Sequence, residues 1–311
     1  QDKVMLFVNQ VAEIVHTIVD TWHGAANRNI GDAFLIVWRL HENAATWQRQ
    51  KLGDMSVISL AQIVAAVNKS AVLQDYREHP GLVARLPGYR VRVNFGLHYG
   101  WAIEGAIGSE FKIDASYLSP HVSMAGQLEA VTKQYQVLIL ASEPLMRLCS
   151  AQMEAYFRAV DRVLLRGARE PLRLHTVDLN ADILEYERAA RPSTRLNQFE
   201  LRREREAAKE EKLSHLFNVP SLFKTDEDLK MMRAKFPSTF FSSFRKGMLN
   251  YEAGEWDVAR TELELTRNML WGPSSPDGPS KALLDFMAQF DYEPSRATPK
   301  GWPGFREIAG T

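Results

Sequence analysis

The sequence contains a single cysteine, Cys149, among 311 residues. An intramolecular disulfide and a zinc site built from several cysteines are therefore excluded, and a reducing, intracellular compartment is the simpler expectation. Net charge is also absent, because 38 basic side chains balance 38 acidic ones. This balance argues against a broad surface for nucleic acid. We find no apolar run close to the roughly 20 residues that a membrane-spanning helix needs, and we expect no such span.

The composition that remains is that of a packed globular protein. Apolar residues make up 45% of the chain and aromatic residues 10%, which is too much for a disordered chain. The length allows one mixed domain of helices and strands together with a smaller second unit. The chain starts inside a predicted amphipathic helix without a signal pattern. We therefore expect further residues upstream of Gln1.

Helical and strand patterns alternate over the first 180 residues. A buried-strand pattern at 34–40 follows a turn that carries Gly31 and Asp32, which predicts a hairpin. The segment 90–108 predicts two strands joined near Tyr99 and Gly100. A helix is predicted from Pro120 to Tyr135, followed by a strand, a short helix and a terminal hairpin. Because several strands are joined by hairpins, we expect a mixed sheet.

The pattern becomes helical after about residue 181. We divide this part into a charged helical linker at 181–235 and a helical tail at 236–311. The tail contains one helix pair that resembles a tetratricopeptide unit, with Gly247, Ala259 and Leu263 at the contact positions. A single unit cannot form a solenoid. We therefore expect it to cap or dock, and to provide a surface for a larger assembly.

Three segments together carry a resemblance to a known family, and they read "NRNIGDAFLIVW", "VRVNFGLHYGWAIEGAIGSEFKIDASYLSP" and "HVSMAGQLEAVTKQYQVLILASEPL". In order and spacing, residues 1–180 resemble a class III nucleotidyl cyclase catalytic domain. The helical tail is similar to the one that follows cyclase-like domains of large protist signalling proteins. The resemblance implies an α+β fold: a ferredoxin-like βαββαβ core with a mixed sheet, its first strand upstream of Gln1, and an all-helical C-terminal region.

The resemblance also implies a reaction and a partner. Domains of this family work as head-to-tail dimers, so the expected partner is a second cyclase-like domain, identical or different. ATP or GTP binds at the dimer interface, and its 3′-hydroxyl attacks the α-phosphate and releases pyrophosphate. Two divalent metals, Mg²⁺ or Mn²⁺, align the reacting groups, and a cation stabilises the transition state.

Three positions correspond to the family's metal and base sites. Asp32 matches one of two metal-binding aspartates, although an aspartate at a turn can also serve only as a cap. The other aspartate lies in the strand expected upstream, so we expect this chain alone to hold metals weakly at best. Arg28 matches a purine-reading lysine, with an ordinary surface arginine as the equal alternative. Ser116 matches the second base-reading residue and leans weakly towards ATP.

Two positions depart from the family's catalytic helix. The family places Asn and Arg four residues apart on one helix face, where they orient the ribose and stabilise the transition state. This chain has Ser123 and Gln127 there, and a neutral glutamine cannot make the charged, forked contact of arginine to phosphate. A phosphate-contacting lysine expected near Val137 is missing as well. We expect these positions to be non-functional in catalysis.

Three hypotheses remain open from the sequence. The chain is a structural or regulatory pseudo-cyclase module, or it is the metal-donating half of a heterodimeric cyclase, or it is an active homodimer that relies on Ser123 and Gln127. We expect the location to be cytoplasmic, either free or as the cytosolic part of a larger membrane-associated or ciliary protein.

Overall fold

The computed structural model describes residues 2–30, 33–77, 80–85, 89–186 and 198–308. These residues form helices and strands in an α+β arrangement, together with three short 3₁₀ turns. The helices are α1 (Asp2–Thr21), α2 (Thr46–Lys69), α3 (Ala71–Arg77), α4 (Pro80–Val83), α5 (Pro120–Tyr135), α6 (Glu143–Leu148), α7 (Ala151–Glu154), α8 (Gln198–Leu213), α9 (Leu222–Thr225), α10 (Glu227–Arg233), α11 (Ser238–Ala253), α12 (Trp256–Met269) and α13 (Gly278–Ala288). The strands are β1 (Ala25–Ile30), β2 (Ala33–Val37), β3 (Phe95–Leu97), β4 (Ile103–Ser109), β5 (Lys112–Leu118), β6 (Ile139–Ser142), β7 (Phe157–Leu165), β8 (Leu172–Val177) and β9 (Arg306–Ile308).

The central sheet has five strands in the order β3-β6-β8-β7-β9. The β3/β6 and β7/β9 pairs are parallel, whereas β6/β8 and β7/β8 are antiparallel. The sheet is therefore mixed, as the hairpin-rich sequence predicts. The fifth strand, β9, comes from the far end of the helical tail and was not predicted.

Two further hairpins lie outside this sheet. Strand β1 pairs with β2, and β4 pairs with β5 in an unbroken antiparallel register from Ile103 opposite Leu118 to Ser109 opposite Lys112. The two strands predicted in segment 90–108 are present as β3 and β4, but they belong to different sheets. The connection around Gly100 is thus a link between the core and a separate hairpin.

Helix α2 lies at the centre of the larger hydrophobic core. Its residues from Lys51 to Asn68 are buried on nearly every side, as expected for a helix that is enclosed by other elements. Helix α1 packs against it through Val11, Val15 and Val19. The expectation about membrane spans was too strong, since Val4–Thr21 of α1 is long and apolar enough to cross a bilayer. That property is weak evidence, because core helices share it.

The other face of the sheet is covered by α5 and by the tail. Leu128 and Tyr135 of α5 share one buried cluster with Val163 of β7, Ala282 of α13 and Ile308 of β9. A third cluster joins α11, α12 and α13 to one another. Within it, Gly247 of α11 lies directly against Leu263 of α12, where an added Cβ would come within 2.9 Å of the leucine side chain. The predicted helix pair is present, and its likeness to a tetratricopeptide unit stays a prediction.

Candidate functional site

Helix α5 presents the two departing positions. Ser119 caps the helix by accepting a hydrogen bond from the backbone N–H of His121, and Pro120 occupies the first turn, where its missing N–H costs nothing. The helix therefore starts where the sequence predicts. Ser123 is exposed one turn into the helix, and Gln127 lies half-buried one turn further on.

The side chain of Gln127 is hydrogen-bonded to the main chain. Its Nε2 donates a hydrogen bond of 3.1 Å to the carbonyl of Arg166, in the turn after β7. Its Oε1 is buried without a hydrogen-bond partner among the described residues. Position 127 thus carries no charge, and one of its two amide hydrogens is bonded within the protein itself.

No lysine occupies position 137, where a phosphate-contacting lysine was expected, but an arginine lies beside Gln127. Val137 itself is partly buried and packs against the cluster beneath α5. Lys133 is exposed near the end of the helix. The structure instead brings the exposed Arg166 next to Gln127. No local sequence signal joins these two residues, which lie 39 positions apart.

The predicted base-reading positions lie close together. The carboxamide of Asn27 in β1 donates a hydrogen bond of 3.2 Å to the carbonyl of Ala115 in β5, beside the buried Ser116. Asn27 is the extra residue at an irregularity of the β1/β2 pairing, between Ala26 and Arg28. Its Oδ1 is a buried acceptor without a partner among the described residues. Such bulges often lie next to active sites, and sequence analysis missed Asn27.

Asp32 lies outside the described residues, and of Arg28 only the backbone is described, within β1. Among the described residues, no group of three His, Cys, Asp or Glu side chains is arranged to hold a metal ion. A metal-binding role of Asp32 therefore stays a prediction.

Two histidines link the core sheet to the start of α5. His98, just after β3, bonds Ser142 through Nδ1 at 2.7 Å and His121 through Nε2 at 2.8 Å, and the two rings stack. Burial, together with the neighbouring His121, lowers the pKa of His98 to about 4. Gly100 makes room for this pair, since an added Cβ would lie 2.2 Å from the His121 ring.

The β4/β5 hairpin exposes apolar side chains. Phe111 at its tip is 94% exposed, and Ile103, Ile107, Ile113 and Leu118 are each at least half exposed. The hairpin has no third strand among the described residues, and isolated two-stranded hairpins are marginal in water. Ile103, Ile107 and Leu118 lie on one face of the hairpin and Ile113 on the other. Exposed apolar side chains grouped in this way favour an interaction surface.

Comparison with known proteins identifies relatives of the first part of the chain. An adenylate cyclase of Anabaena cylindrica is 25% identical over 176 residues, which are 56% of this chain and 32% of that protein. The terminal-differentiation-specific adenylate cyclase of Dictyostelium discoideum is 23% identical over 180 residues, which are 57% of this chain and 8% of that protein. The chain thus spans about a third or less of these relatives' length.

Solved structures with a similar fold are also cyclases. A bacterial light-regulated adenylyl cyclase has a TM-score of 0.45 at 20% identity and covers 69% of this chain and 51% of its own. The adenylyl cyclase CyaB of P. aeruginosa has a TM-score of 0.42 at 15% identity and covers 57% and 83%. The family assignment depends on a different finding: the model of the adenylate and guanylate cyclase catalytic domain matches residues 2–179. This chain belongs to the adenylate and guanylate cyclase catalytic-domain family.

Proposed function

We propose that this chain is a cyclase-like domain that is catalytically impaired by itself and serves as the structural or regulatory partner of a second cyclase-like domain in cyclic-nucleotide signalling. The observation that carries the proposal is the neutral Gln127, whose amide donates to the Arg166 carbonyl. In the family this position provides a cation to the transition state. This chain keeps the cyclase-like domain, but the face of α5 that includes Gln127 carries no charged side chain.

The chemical cost of this change is large. Removing one pre-organised donor to a developing oxyanion slows catalysis by about 10²–10³. Losing a guanidinium should cost no less, because its two parallel, charged hydrogen bonds to phosphate are stronger than neutral ones. Ser123 adds to the loss, since its short hydroxyl replaces a longer carboxamide. A site that uses this face of α5 is therefore slow.

Pairing is supported by the β4/β5 hairpin. Its exposed apolar side chains would be buried at an interface with a partner. A second cyclase-like domain is the partner that the family implies. The resulting assembly places a nucleotide between the domains. ATP is favoured over GTP because the similar proteins from Anabaena and Dictyostelium are named adenylate cyclases, and because the Ser116 hydroxyl can bond adenine.

The second candidate function is the metal-donating half of a heterodimeric adenylate cyclase that converts ATP to cyclic AMP and pyrophosphate. It is favoured by the β1/β2 hairpin, whose strands are paired up to Ile30 and Ala33 on either side of Gly31 and Asp32. Asp32, together with the second aspartate expected upstream, would bind Mg²⁺ or Mn²⁺. The partner would then supply Asn and Arg.

One assay separates the two candidates. Cyclic-nucleotide production is measured with ATP or GTP and Mn²⁺ or Mg²⁺, for the chain extended upstream of Gln1 by the strand expected there, first by itself and then mixed with a cyclase domain that keeps Asn and Arg but lacks its metal aspartates. The proposed function predicts no product in either case, although sedimentation shows the pair. Product in the mixture that disappears with Asp32→Ala would instead establish the half-enzyme. Product from the chain alone at the rate of an intact cyclase would contradict both.

A further inference from the structure

The last strand of the chain contacts the end of helix α5. Strand β9 lies parallel to β7, with Arg306 opposite Val163 and Ile308 opposite Leu165. Arg306 and Ile308 are buried, whereas Glu307 between them is exposed. This alternation is that of a strand added to a sheet edge, with two side chains pointing into the protein.

The buried Arg306 joins three elements. Its Nε lies 2.6 Å from Oδ2 of Asp161 in β7, and its Nη2 donates a hydrogen bond of 3.0 Å to the hydroxyl of Tyr135, the last residue of α5. The Tyr135 hydroxyl in turn donates to Asp161 at 2.5 Å. Asp161 and Tyr135 are fully buried, and Arg306 is 7% exposed. These three side chains, the Arg306 cluster, share one closed set of hydrogen bonds.

The rest of the tail holds this arrangement in place. The Arg306 guanidinium also lies 5.1 Å from the ring of Phe286 in α13. Trp302 donates a hydrogen bond of 2.8 Å to the carbonyl of Tyr251 in α11, which fixes the segment before β9. At the start of α13, Gly278 packs against the Tyr135 carbonyl so closely that an added Cβ would lie 1.9 Å from it. The end of α5 is thus enclosed by residues of the tail.

We propose that Arg306 is a positioning residue for α5. By fixing Tyr135 against β7, it sets the axial position of the helix that presents positions 123 and 127, and the rotation of that helix about its own axis. The inference rests on the proposed function only in taking that face as the nucleotide-facing one. The helical tail is then part of the nucleotide site's scaffold, since the guanidinium that fixes α5 comes from its last strand.

A test must separate positioning from stability. Arg306→Met alone leaves the Asp161 carboxylate buried without its cation, which destabilises a protein whatever else the arginine does. In the double variant Asp161→Asn/Arg306→Met no charge is left unpaired, so the melting temperature should return close to that of the wild type. The asparagine Oδ1 still accepts the backbone N–H of Arg162, which bonds Oδ1 of Asp161 at 2.7 Å, and its Nδ2, in the place of Oδ2, can donate to the hydroxyl oxygen of Tyr135. What the double variant lacks is the link from Tyr135 to the tail.

The measurement is amide hydrogen exchange of the full chain by mass spectrometry, read in peptides that cover residues 128–136. We expect exchange there to rise on the order of tenfold in the double variant, while its melting temperature and its exchange in β6 stay at wild-type values. Arg296→Met is the matched control, because Arg296 lies in the same tail with exposed ion pairs to Asp291 and Glu293. It should change neither quantity.

Two results would overturn the inference. Wild-type exchange at the end of α5 in a double variant with restored melting temperature would show that the Arg306 cluster only stabilises. The second result is raised exchange in the double variant together with an unchanged affinity for a fluorescent ATP analogue, measured in an assembly that binds this analogue. It would show that Arg306 fixes the helix end without affecting the nucleotide site. The exchange measurement needs no nucleotide. If the assembly binds none, the proposed function fails while the exchange result still decides whether Arg306 fixes α5.

Discussion

At the scale of single residues, we propose that Asn27 and Ser116 select the base. The Oδ1 of Asn27 is an acceptor without a hydrogen-bond partner among the described residues, and adenine presents an amino group where guanine presents an oxygen. We expect the double variant Asn27→Ala/Ser116→Ala to lose at least about tenfold in affinity for ATP and little for GTP, since one lost hydrogen bond of this kind is worth about 1–1.5 kcal/mol. Competition with a fluorescent nucleotide analogue measures both affinities.

Ser109→Ala, at the far end of the same hairpin, is the control for that pair. It should leave both affinities unchanged. An equal loss for ATP and GTP in the double variant would mean that these side chains shape the hairpins without reading the base.

A second residue-scale prediction concerns pH. Burial raises the pKa of Asp54 in α2 to about 6, and hydrogen bonds from Ser150 and the Cys149 thiol and the charge of Lys51 only partly oppose this. Because the folded pKa lies above the ordinary value of 3.8, the folded chain binds more protons than the unfolded one between these pH values. Ionisation of Asp54 therefore costs stability as the pH rises, and the cost is complete above about pH 6.

Asp54→Asn should accordingly raise the free energy of unfolding at pH 7.5 by on the order of 2 kcal/mol, and by almost nothing at pH 4. The asparagine still accepts the backbone N–H of Ser150, which bonds Oδ1 of Asp54 at 2.9 Å. Urea unfolding at both pH values checks this. An equal gain in the free energy of unfolding at pH 4 and at pH 7.5 would show that burial does not destabilise the ionised carboxylate.

At the scale of elements, the proposed pairing with a second cyclase-like domain depends on the β4/β5 hairpin. Phe111→Asp should weaken self-association or association with a partner domain by on the order of tenfold or more, because it places a charge in the apolar surface that would be covered. The monomer's stability should stay within about 0.5 kcal/mol, since the side chain is exposed. Sedimentation velocity measures the first quantity and urea unfolding the second.

Leu216→Asp is the matched control for the hairpin. Leu216 is 91% exposed in the turn after α8, so its substitution adds the same charge at a distant apolar site. If both variants weaken association equally, the effect comes from net charge and the hairpin is not the interface.

Elements with strong local signals could be predicted from the sequence, whereas those fixed by distant partners could not. Helix α5 was predicted with its observed ends because Ser119, Pro120 and the periodicity all act locally. Strand β9 has three residues, and it is a strand only because β7, more than 140 positions earlier, offers an edge and an aspartate for Arg306. The same limit applies to the site, since nothing local places Arg166 beside Gln127 or makes Asn27 the residue at a bulge.

At the scale of the whole molecule, a second buried charge cluster ties the tail to the sheet. Arg158 of β7 makes a forked contact to Asp178 at 2.6 and 2.9 Å, and it also binds Asp277, which caps α13. Its guanidinium lies over the ring of Phe244 in α11 at 4.3 Å. Sheet and helical tail therefore share a buried core, and we expect them to unfold together.

Arg158→Met tests this cooperativity. Two buried carboxylates would lose their cation, so the free energy of unfolding should fall by about 3–5 kcal/mol, and in one transition that far- and near-ultraviolet circular dichroism report alike. Arg260→Met, at an exposed ion pair with Glu264, should leave the free energy of unfolding nearly unchanged. Unfolding of the tail in a separate, earlier transition would contradict the shared core.

The central claim is that Ser123 and Gln127 disable this chain's contribution to catalysis. It is tested most directly by mixing the chain with a cyclase domain that keeps its metal aspartates but has lost its own Asn and Arg, so that the one complete site must use α5 of this chain. The account predicts no cyclic nucleotide with the wild-type chain, and a gain of at least about 10²-fold with Ser123→Asn/Gln127→Arg in a pair that sedimentation shows to be equally well formed. Equal activity of the wild-type chain and the double variant in that mixture would contradict it.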